Sequence, residues 1–337
     1  MAKIRKINTK LKAEINTGFG INPSSYGGRF LNKDGRANIE KSGLGFLEKI
    51  SWYHTMLLLP RWKFFSIIVL FYIVINLLFA TIYFLIGVES LGEIPSPSQL
   101  TNFAESFFFS TQTFTTVGYG RISPIGFLSS SIASFEALIG LLSFALATGL
   151  LYGRFSKPVA YLRFSHNALI APYKDINALM LRVAPFKNTN LVDAAANVTL
   201  GMTIEDNGVS VNRFYQLELE FNTVNSLTLS WTLVHPITEK SPLYNFTKSD
   251  FENIKGEILV FIKAFDDMFS NIVVARTSYV FGEIHYGAKF EPMYERAGTG
   301  DKTIIYLDKL NYFKPAILNS TNETVDEEEI VSKDDII

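Results

Sequence analysis

Apolar and polar positions fall into blocks of different period along this chain. Residues 64–87, FFSIIVLFYIVINLLFATIYFLIG, run for 24 positions without a charge. At 1.5 Å rise per residue the run exceeds the ~30 Å hydrocarbon core, which predicts a membrane-crossing helix. A buried core helix or a signal peptide would give a similar stretch, but a signal lies at the chain start and this run follows 63 residues. A second block, Ile125 to Gly153, carries one charge, Glu136, among many small residues. Small residues suit close helix packing or a pore lining, and an ionisable group at such a depth faces water or protein. Between the blocks, residues 101–114 (TNFAESFFFSTQTF) are aromatic and helix-compatible but too short to cross, which predicts a re-entrant half-helix. Residues 47–59 (LEKISWYHTMLLL) mix charge with Trp, Tyr and Leu and predict a helix lying on the membrane surface, ended by Pro60. Beyond the second span the period falls to two, most clearly in FYQLELEF, residues 214–221. Strands are expected at Ala178–Val183, Tyr215–Phe221, Ser226–Val234, Glu257–Phe265 and Ile272–Val280, with a turn at Asp206-Asn207-Gly208. Short, punctuated strands over about 164–315 indicate a β-sandwich.

Charge orients these blocks. Residues 1–63 hold 12 Lys or Arg, the segment 88–124 holds only Arg121, and Arg154, Lys157 and Arg163 follow the second block. The positive-inside rule therefore places both ends in the cytoplasm, as two spans require. The net charge of -1 points to no nucleic-acid partner, and with no cysteine there is neither disulfide nor thiolate metal site. His54, His166, His235 and His285 are scattered, and no HExxH, GxSxG or phosphate-loop pattern occurs, so no enzyme is expected.

The half-helix leads straight into Thr116-Val117-Gly118-Tyr119-Gly120. A potassium ion in a narrow pore must shed water without losing coordination, and rings of backbone carbonyls from four copies of such a loop replace its hydration shell. Aiming those carbonyls at one axis needs residues that tolerate unusual backbone angles, which Gly118 and Gly120 supply. Thr116 could add a hydroxyl ring at the inner mouth, and Tyr119 could pack outward as a brace. The half-helix would direct the negative end of its dipole at the ion. One copy cannot enclose an axis, so a closed homotetramer is expected.

With these motifs in place, the chain resembles the inward-rectifier potassium channel family over nearly its whole length. RFLNKDG, residues 29–35, is similar to the family's N-terminal strand segment, and Arg61-Trp62-Lys63 to its basic-Trp-basic entry into the first span. FSHNALI (164–170), LVHPITEKSPLY (233–244), ARTSY (275–279) and EIHYGAKFEP (283–292) resemble segments of its cytoplasmic immunoglobulin-like sandwich. FFFSTQTFTTVGYG is closest to the prokaryotic branch, KirBac. In the second span Glu136, Gly140, Phe144, Thr148 and Tyr152 recur at steps of four, roughly one helix face with a drift that packing and bending can absorb. The resemblance implies a hinge at Gly140, cavity lining at Phe144 and Thr148, and a gate at Tyr152. For the two aromatics, packing or lipid contact is the alternative. A second constriction would fall at Phe269-Ser270-Asn271. Arg61, Trp62 and Lys63 with Arg154 and Lys157 could pinch an anionic lipid headgroup, such as a phosphoinositide, or could serve plain anchoring. Two departures matter. Phe144 stands where strong rectifiers carry an acid, which weakens block by polyamines or Mg2+. Gln112 stands where many eukaryotic members pair a glutamate with an arginine beyond the filter, so that bridge is not expected.

The expected fold is membrane α, two transmembrane helices plus a re-entrant pore helix, with a cytoplasmic all-β immunoglobulin-like sandwich. Its divisions are an N-terminal segment (1–46), an interfacial helix (47–60), a pore domain (61–157, with spans about 64–87 and 125–153 and pore helix with filter about 101–120), the sandwich (158–315) and an acidic, disordered tail (316–337). The implied function is passive potassium conduction at the plasma membrane, with K+ as permeant ion, no cofactor, and gating from the inner helix crossing, the sandwich and lipid. A differently regulated, non-rectifying two-span channel would be favoured by a GxGxxG nucleotide fold after the second span, and none exists. A membrane-anchored scaffold would leave the TVGYG motif without a role.

Overall fold

The computed structural model describes residues 17–18, 28–43, 45, 51–92, 96–206, 209–298 and 302–319. The chain divides into two compact units, Lys41–Lys157 and a second made of Met1–Glu40 with Pro158–Ile337.

The first unit is helical. Helix α1 (Trp52–Leu58) ends before Pro60, which lacks an N–H and opens α2 (Arg61–Ile86) as its N-cap. The interfacial helix expected over 47–60 is thus seen from Trp52 on, and residues 46–50 lie outside those described. Gly87, at φ 108°, closes α2 and starts a short 3-10 turn, Val88–Leu91. The half-helix α3 (Gln99–Phe114) begins two residues before its expected start, because the Ser98 hydroxyl accepts the Thr101 amide. Helix α4 (Phe127–Phe155) follows Gly126, at φ 85°. Only 17 % of the most apolar stretch of α2 and 11 % of that of α4 is buried. Leu70, Val74, Leu78, Leu85, Leu142 and Leu146 are all exposed. Core helices of a soluble protein would be mostly covered, and an apolar exterior of this extent requires lipid or protein around it.

The second unit is a β-sandwich. One sheet runs β1 (Leu162–Phe164), β3 (Ile176–Pro185), β2 (Ala168–Tyr173) and β10 (Ile284–Tyr286), with β7 (Trp231–Pro236) on the other edge of β3. The other runs β5 (Val209–Leu217), β4 (Leu191–Asp206), β8 (Gly256–Asp266) and β9 (Asn271–Val280), with β6 (Thr223–Ser226) also pairing β4. Ile170, Leu179, Leu181, Val183 and Leu233 meet Val198, Leu200, Met202, Val260 and Ile262 in the core between them. Strand β3 does not alternate. Its far face is covered too, by Ala288 and Phe290 of β11 (Ala288–Phe290), which pairs β14 (Phe313–Pro315). A smaller ribbon joins β12 (Tyr294–Arg296) to β13 (Thr303–Ile305).

Two expected strands are redrawn. The run Tyr215–Phe221 leaves its sheet at Leu217, because β6 takes over the same edge of β4 from Ala195↔Thr223 onward. The run Ser226–Val234 is two strands in different sheets, and the chain crosses between them over 227–230. The turn Asn207-Gly208 lies outside the described residues, although β4 and β5 pair up to Asp206↔Val209 around it.

The segment 29–35 is a turn with one isolated bridge, Leu31↔Ala37, rather than the strand its resemblance implied. Side chains of the sandwich, not a neighbouring strand, satisfy its backbone. The buried Glu257 carboxylate accepts the Phe30 and Leu31 amides at 2.6 and 3.0 Å, and the Ser278 hydroxyl donates to Leu31 O at 2.5 Å. Arg29 forks onto Glu283 at 3.2 and 3.1 Å, and Lys33 joins that carboxylate at 3.0 Å. Burial alone would raise the Glu283 pKa, but these two cations outweigh it and hold the carboxyl below its usual range. At the other end, Ala316–Asn319 are not tail-like. The Ala316 amide donates to Gly287 O, and Asn319 exchanges amide bonds with Asn177 at 2.9 and 3.0 Å. Residues 320–337, the remainder of the expected tail, lie outside the described residues.

Candidate ion-conduction site

Helix α3 ends at Phe114 with Thr115 as its C-cap, and beyond it the sign of φ changes at each residue from Thr116 to Gly120. Thr116, Gly118 and Gly120 have φ of 58°, 50° and 83°, while Val117 and Tyr119 between them keep negative φ. Alternating left- and right-handed residues turn successive carbonyls to one side of the chain, which an ordinary helix or strand does not do. Glycine adopts positive φ without strain; a β-branched Thr116 does not, and strain of this kind concentrates at functional sites. The amides of this stretch point back instead. Thr116 N donates to Thr113 O at 3.0 Å, and Val117 N and Gly118 N both donate to Gln112 O at 2.9 and 3.3 Å. Among the described residues, no hydrogen bond ends on a carbonyl of Thr116 to Gly120. The result is a short ladder of unused carbonyl oxygens at the C-terminal end of a helix dipole.

The flanks are tied down within the chain. Ser123 N and Ile125 N donate to Leu91 O and Ser90 O at 3.2 and 2.6 Å, and Ile122 is buried. Arg121 forms an ion pair with Glu105 of α3. The Gln112 position makes no such bridge, and the acid that does the work lies seven residues earlier. Helical spacing from Glu105 to Gln112 was the signal that could have found it. The Tyr119 ring is 80 % exposed, so the brace expected of it is not made within one chain.

Behind the ladder, three helices meet around Glu136. Its carboxylate is fully buried and accepts hydrogen bonds from Tyr83 Oη of α2 at 2.7 Å and Ser110 Oγ of α3 at 2.5 Å. Ser110 Oγ also lies 3.1 Å from Asn76 Oδ1 of α2. Tyr83 packs edge-on against Phe109. One turn along α4, a Cβ built on Gly140 would stand 2.0 Å from Phe114 O.

This placement corrects the expected stripe. Glu136 and Gly140 are buried against α3, whereas Phe144, Thr148 and Tyr152 are exposed. Steps of four overshoot the helical turn by about 40° each, so the line from Glu136 to Tyr152 rotates through about 160°. Glu136 therefore does not line a cavity, and Gly140 stands at a close crossing of α4 with α3.

At the far end of α4, Gly153 lies against Tyr53 of α1, and Arg154 reaches Met56 O and Leu57 O at 3.4 and 3.5 Å while stacking on Phe64. Arg61, Trp62, Lys63 and Lys157 are exposed, with Lys63 over the Trp62 ring at 5.4 Å. In the sandwich unit, Phe269 and Ser270 lie in the tight connection from β8 to β9, and Asn271 opens β9. Asp266 Oδ1 accepts the Met268 amide there at 3.0 Å, and Ser270 has φ 46°. Among the described residues no group of His, Cys, Asp and Glu has the arrangement of a metal site.

Comparison with known proteins gives a consistent result. The family model for the inward rectifier potassium channel C-terminal domain matches residues 162–327, and that for an ion channel matches residues 60–157. The inward rectifier potassium channel Kirbac3.1 of Paramagnetospirillum magnetotacticum is 33 % identical over 290 residues, which is 85 % of this chain and 96 % of that one. ATP-sensitive inward rectifier potassium channel 12 of Bos taurus is 27 % identical over 291 residues, 79 % of this chain and 67 % of that one. Its Homo sapiens counterpart is also 27 % identical over 291 residues and is covered to 66 %.

Proposed function

The chain belongs to the inward-rectifier potassium channel family and is a membrane-embedded potassium channel of that type, and from that premise we propose that Thr116–Gly120 is its selectivity filter. Four copies around one axis would turn the unused carbonyls into stacked rings that replace the water of a potassium ion. The alternation of φ sign from Thr116 to Gly120, whose carbonyls accept no hydrogen bond among the described residues, is the observation that carries this reading. The isolated chain leaves Tyr119 bare, and a neighbouring copy is the natural support for its ring. In liposomes, potassium and rubidium should permeate far better than sodium, and barium, close to potassium in size, should block. Equal sodium and potassium flux would sink the assignment.

Conduction is gated where Phe144, Thr148 and Tyr152 approach the axis, with Tyr152 as the narrowest ring. Supporting this, Gly153 and Arg154, next in sequence, are the residues that hold α1, so motion of the surface helix reaches the crossing directly. The Phe269–Asn271 turn is a second constriction on the cytoplasmic path, both termini being cytoplasmic. Removing bulk at Tyr152 should raise steady flux, and unchanged flux in Tyr152→Ala would move the barrier to that turn. Arg61, Trp62, Lys63 and Lys157 form the exposed part of an anionic-lipid site at the plasma membrane, Arg154 being engaged by α1. The resemblance implies activation by phosphoinositide in eukaryotic members and inhibition in prokaryotic ones, and inhibition is the expectation here. Each basic residue near such a surface contributes about 1 kcal/mol of attraction. Identical flux with phosphoinositide and with charge-matched phosphatidylglycerol would leave these residues as anchors alone.

A further inference from the structure

We infer that Glu136 is a positioning residue of the filter, holding the pore helix α3 through Ser110 so that the carbonyl from which the filter hangs stays fixed. The inference rests on the filter assignment above and names what sets that filter's geometry. A carboxylate with no exposed surface at membrane depth is costly, and an alanine or leucine would fill the space at less cost if filling were all that was needed. Instead, the polar groups of three helices converge there: Tyr83 from α2, Ser110 from α3 and Glu136 from α4, with Asn76 beside Ser110.

Ser110 lies two residues before Gln112, whose carbonyl receives the Val117 and Gly118 amides. The carbonyl side of the filter makes no hydrogen bond of its own among the described residues, so its shape is inherited from this attachment. A second grip lies one turn on. Gly140, four residues after Glu136, brings the α4 backbone against Phe114 O, four residues after Ser110. Two successive turns of α4 thus clasp two successive turns of α3, one by a buried hydrogen bond to a carboxyl group and one by close packing. Together they oppose both rotation and sliding of α3. Ion discrimination by carbonyl rings needs placement to within about 0.5 Å, which a lone helix packed by apolar contacts alone does not secure.

The test uses full-length channels in liposomes, comparing rubidium with sodium uptake for the parent, Ser110→Ala, Glu136→Ala and Glu136→Gln. Tetramer assembly and thermal midpoint are measured alongside. Ser110→Ala removes one oxygen and leaves the packing, so it is the variant least prone to misfold. In Ser110→Ala and Glu136→Ala the rubidium-to-sodium ratio should fall by about tenfold, the order expected when a hydrogen bond to a charged group is lost. Glu136→Gln, which keeps the shape and can still bond Ser110, should retain most of the parent ratio. An assembled Ser110→Ala channel with the parent ratio would overturn the inference, even if its thermal midpoint dropped, and this variant decides the matter if Glu136→Ala does not assemble. A parent that passes sodium and potassium alike would overturn the filter assignment itself, and the inference with it.

Discussion

At the scale of single residues, the site depends on backbone positions that tolerate almost no change. Gly118 sits at φ 50°, and a side chain there would strain the alternation that aims the carbonyls. Gly140 is intolerant for a different reason, since its missing side chain is the space taken by Phe114 O. Gly140→Ala should destabilise the channel by about 1–3 kcal/mol, the usual cost of overpacking, and lower potassium flux as α3 is displaced. Gly149→Ala on the same helix, where no described residue beyond its own helical neighbours lies within 4 Å of the added Cβ, is the control and should be near neutral. Thermal midpoints and rubidium uptake of the two variants check this. The proposed filter could be singled out in the sequence because its five residues are contiguous and chemically unusual. The Glu136 junction was not, because Asn76, Tyr83, Ser110 and Glu136 are brought together only by the packing of three helices. Periodicity by fours even suggested the wrong face, since a small angular error per step accumulates along a long helix.

Among the elements, the spans were readable from uninterrupted apolar length, and β8 and β9 from alternation and β-branched residues. Strand β4 was missed although it forms the middle of its sheet. Within its first half, Asp193-Ala194-Ala195-Ala196-Asn197 are residues with low strand propensity. Only the buried register of Ala194, Ala196, Val198, Leu200 and Met202 at every second position betrays it. A loop-like histidine also gains meaning from its element. His235, on β7, is buried, with Nδ1 2.6 Å from Glu218 O and Nε2 2.7 Å from Ser241 Oγ. The Nδ1–H donates to that carbonyl, and the neutral ring can accept from the serine hydroxyl at Nε2. Burial accordingly pushes the His235 pKa below the usual imidazole range. The unfolded chain then binds a proton first as pH falls. The stability contributed is complete above the ordinary value of about 6.5 and is lost as pH drops from there through the folded value. The thermal midpoint of the parent should fall between about pH 7 and about pH 5, while that of His235→Gln, lower throughout, should be flatter over the same interval. Parallel pH profiles would refute this.

For the whole molecule, consequences multiply by the number of copies around the axis. Phe144 is 74 % exposed in one chain, and in the proposed tetramer four such rings would give the inner cavity an apolar wall where a carboxylate would attract polycations. Glu136, turned away into the protein, does not replace that charge. Internal spermine should therefore block only weakly. Phe144→Asp should lower the half-blocking concentration by at least about tenfold, because four carboxylates then face a polycation in a confined space. Current–voltage curves with graded spermine measure it, and strong block of the parent would contradict the placement of Glu136. The attachment of residues 29–33 to the sandwich bears on a different matter, the order of events during synthesis. Arg29 leaves the ribosome well before its partner Glu283, from which it is separated by 254 positions. At ordinary elongation rates that interval is roughly 10–50 s, during which both membrane helices are made and inserted. The early-translated residues around Arg29 are therefore among the later ones to find their seat, and a nascent channel waits with that seat empty until Glu283 has emerged.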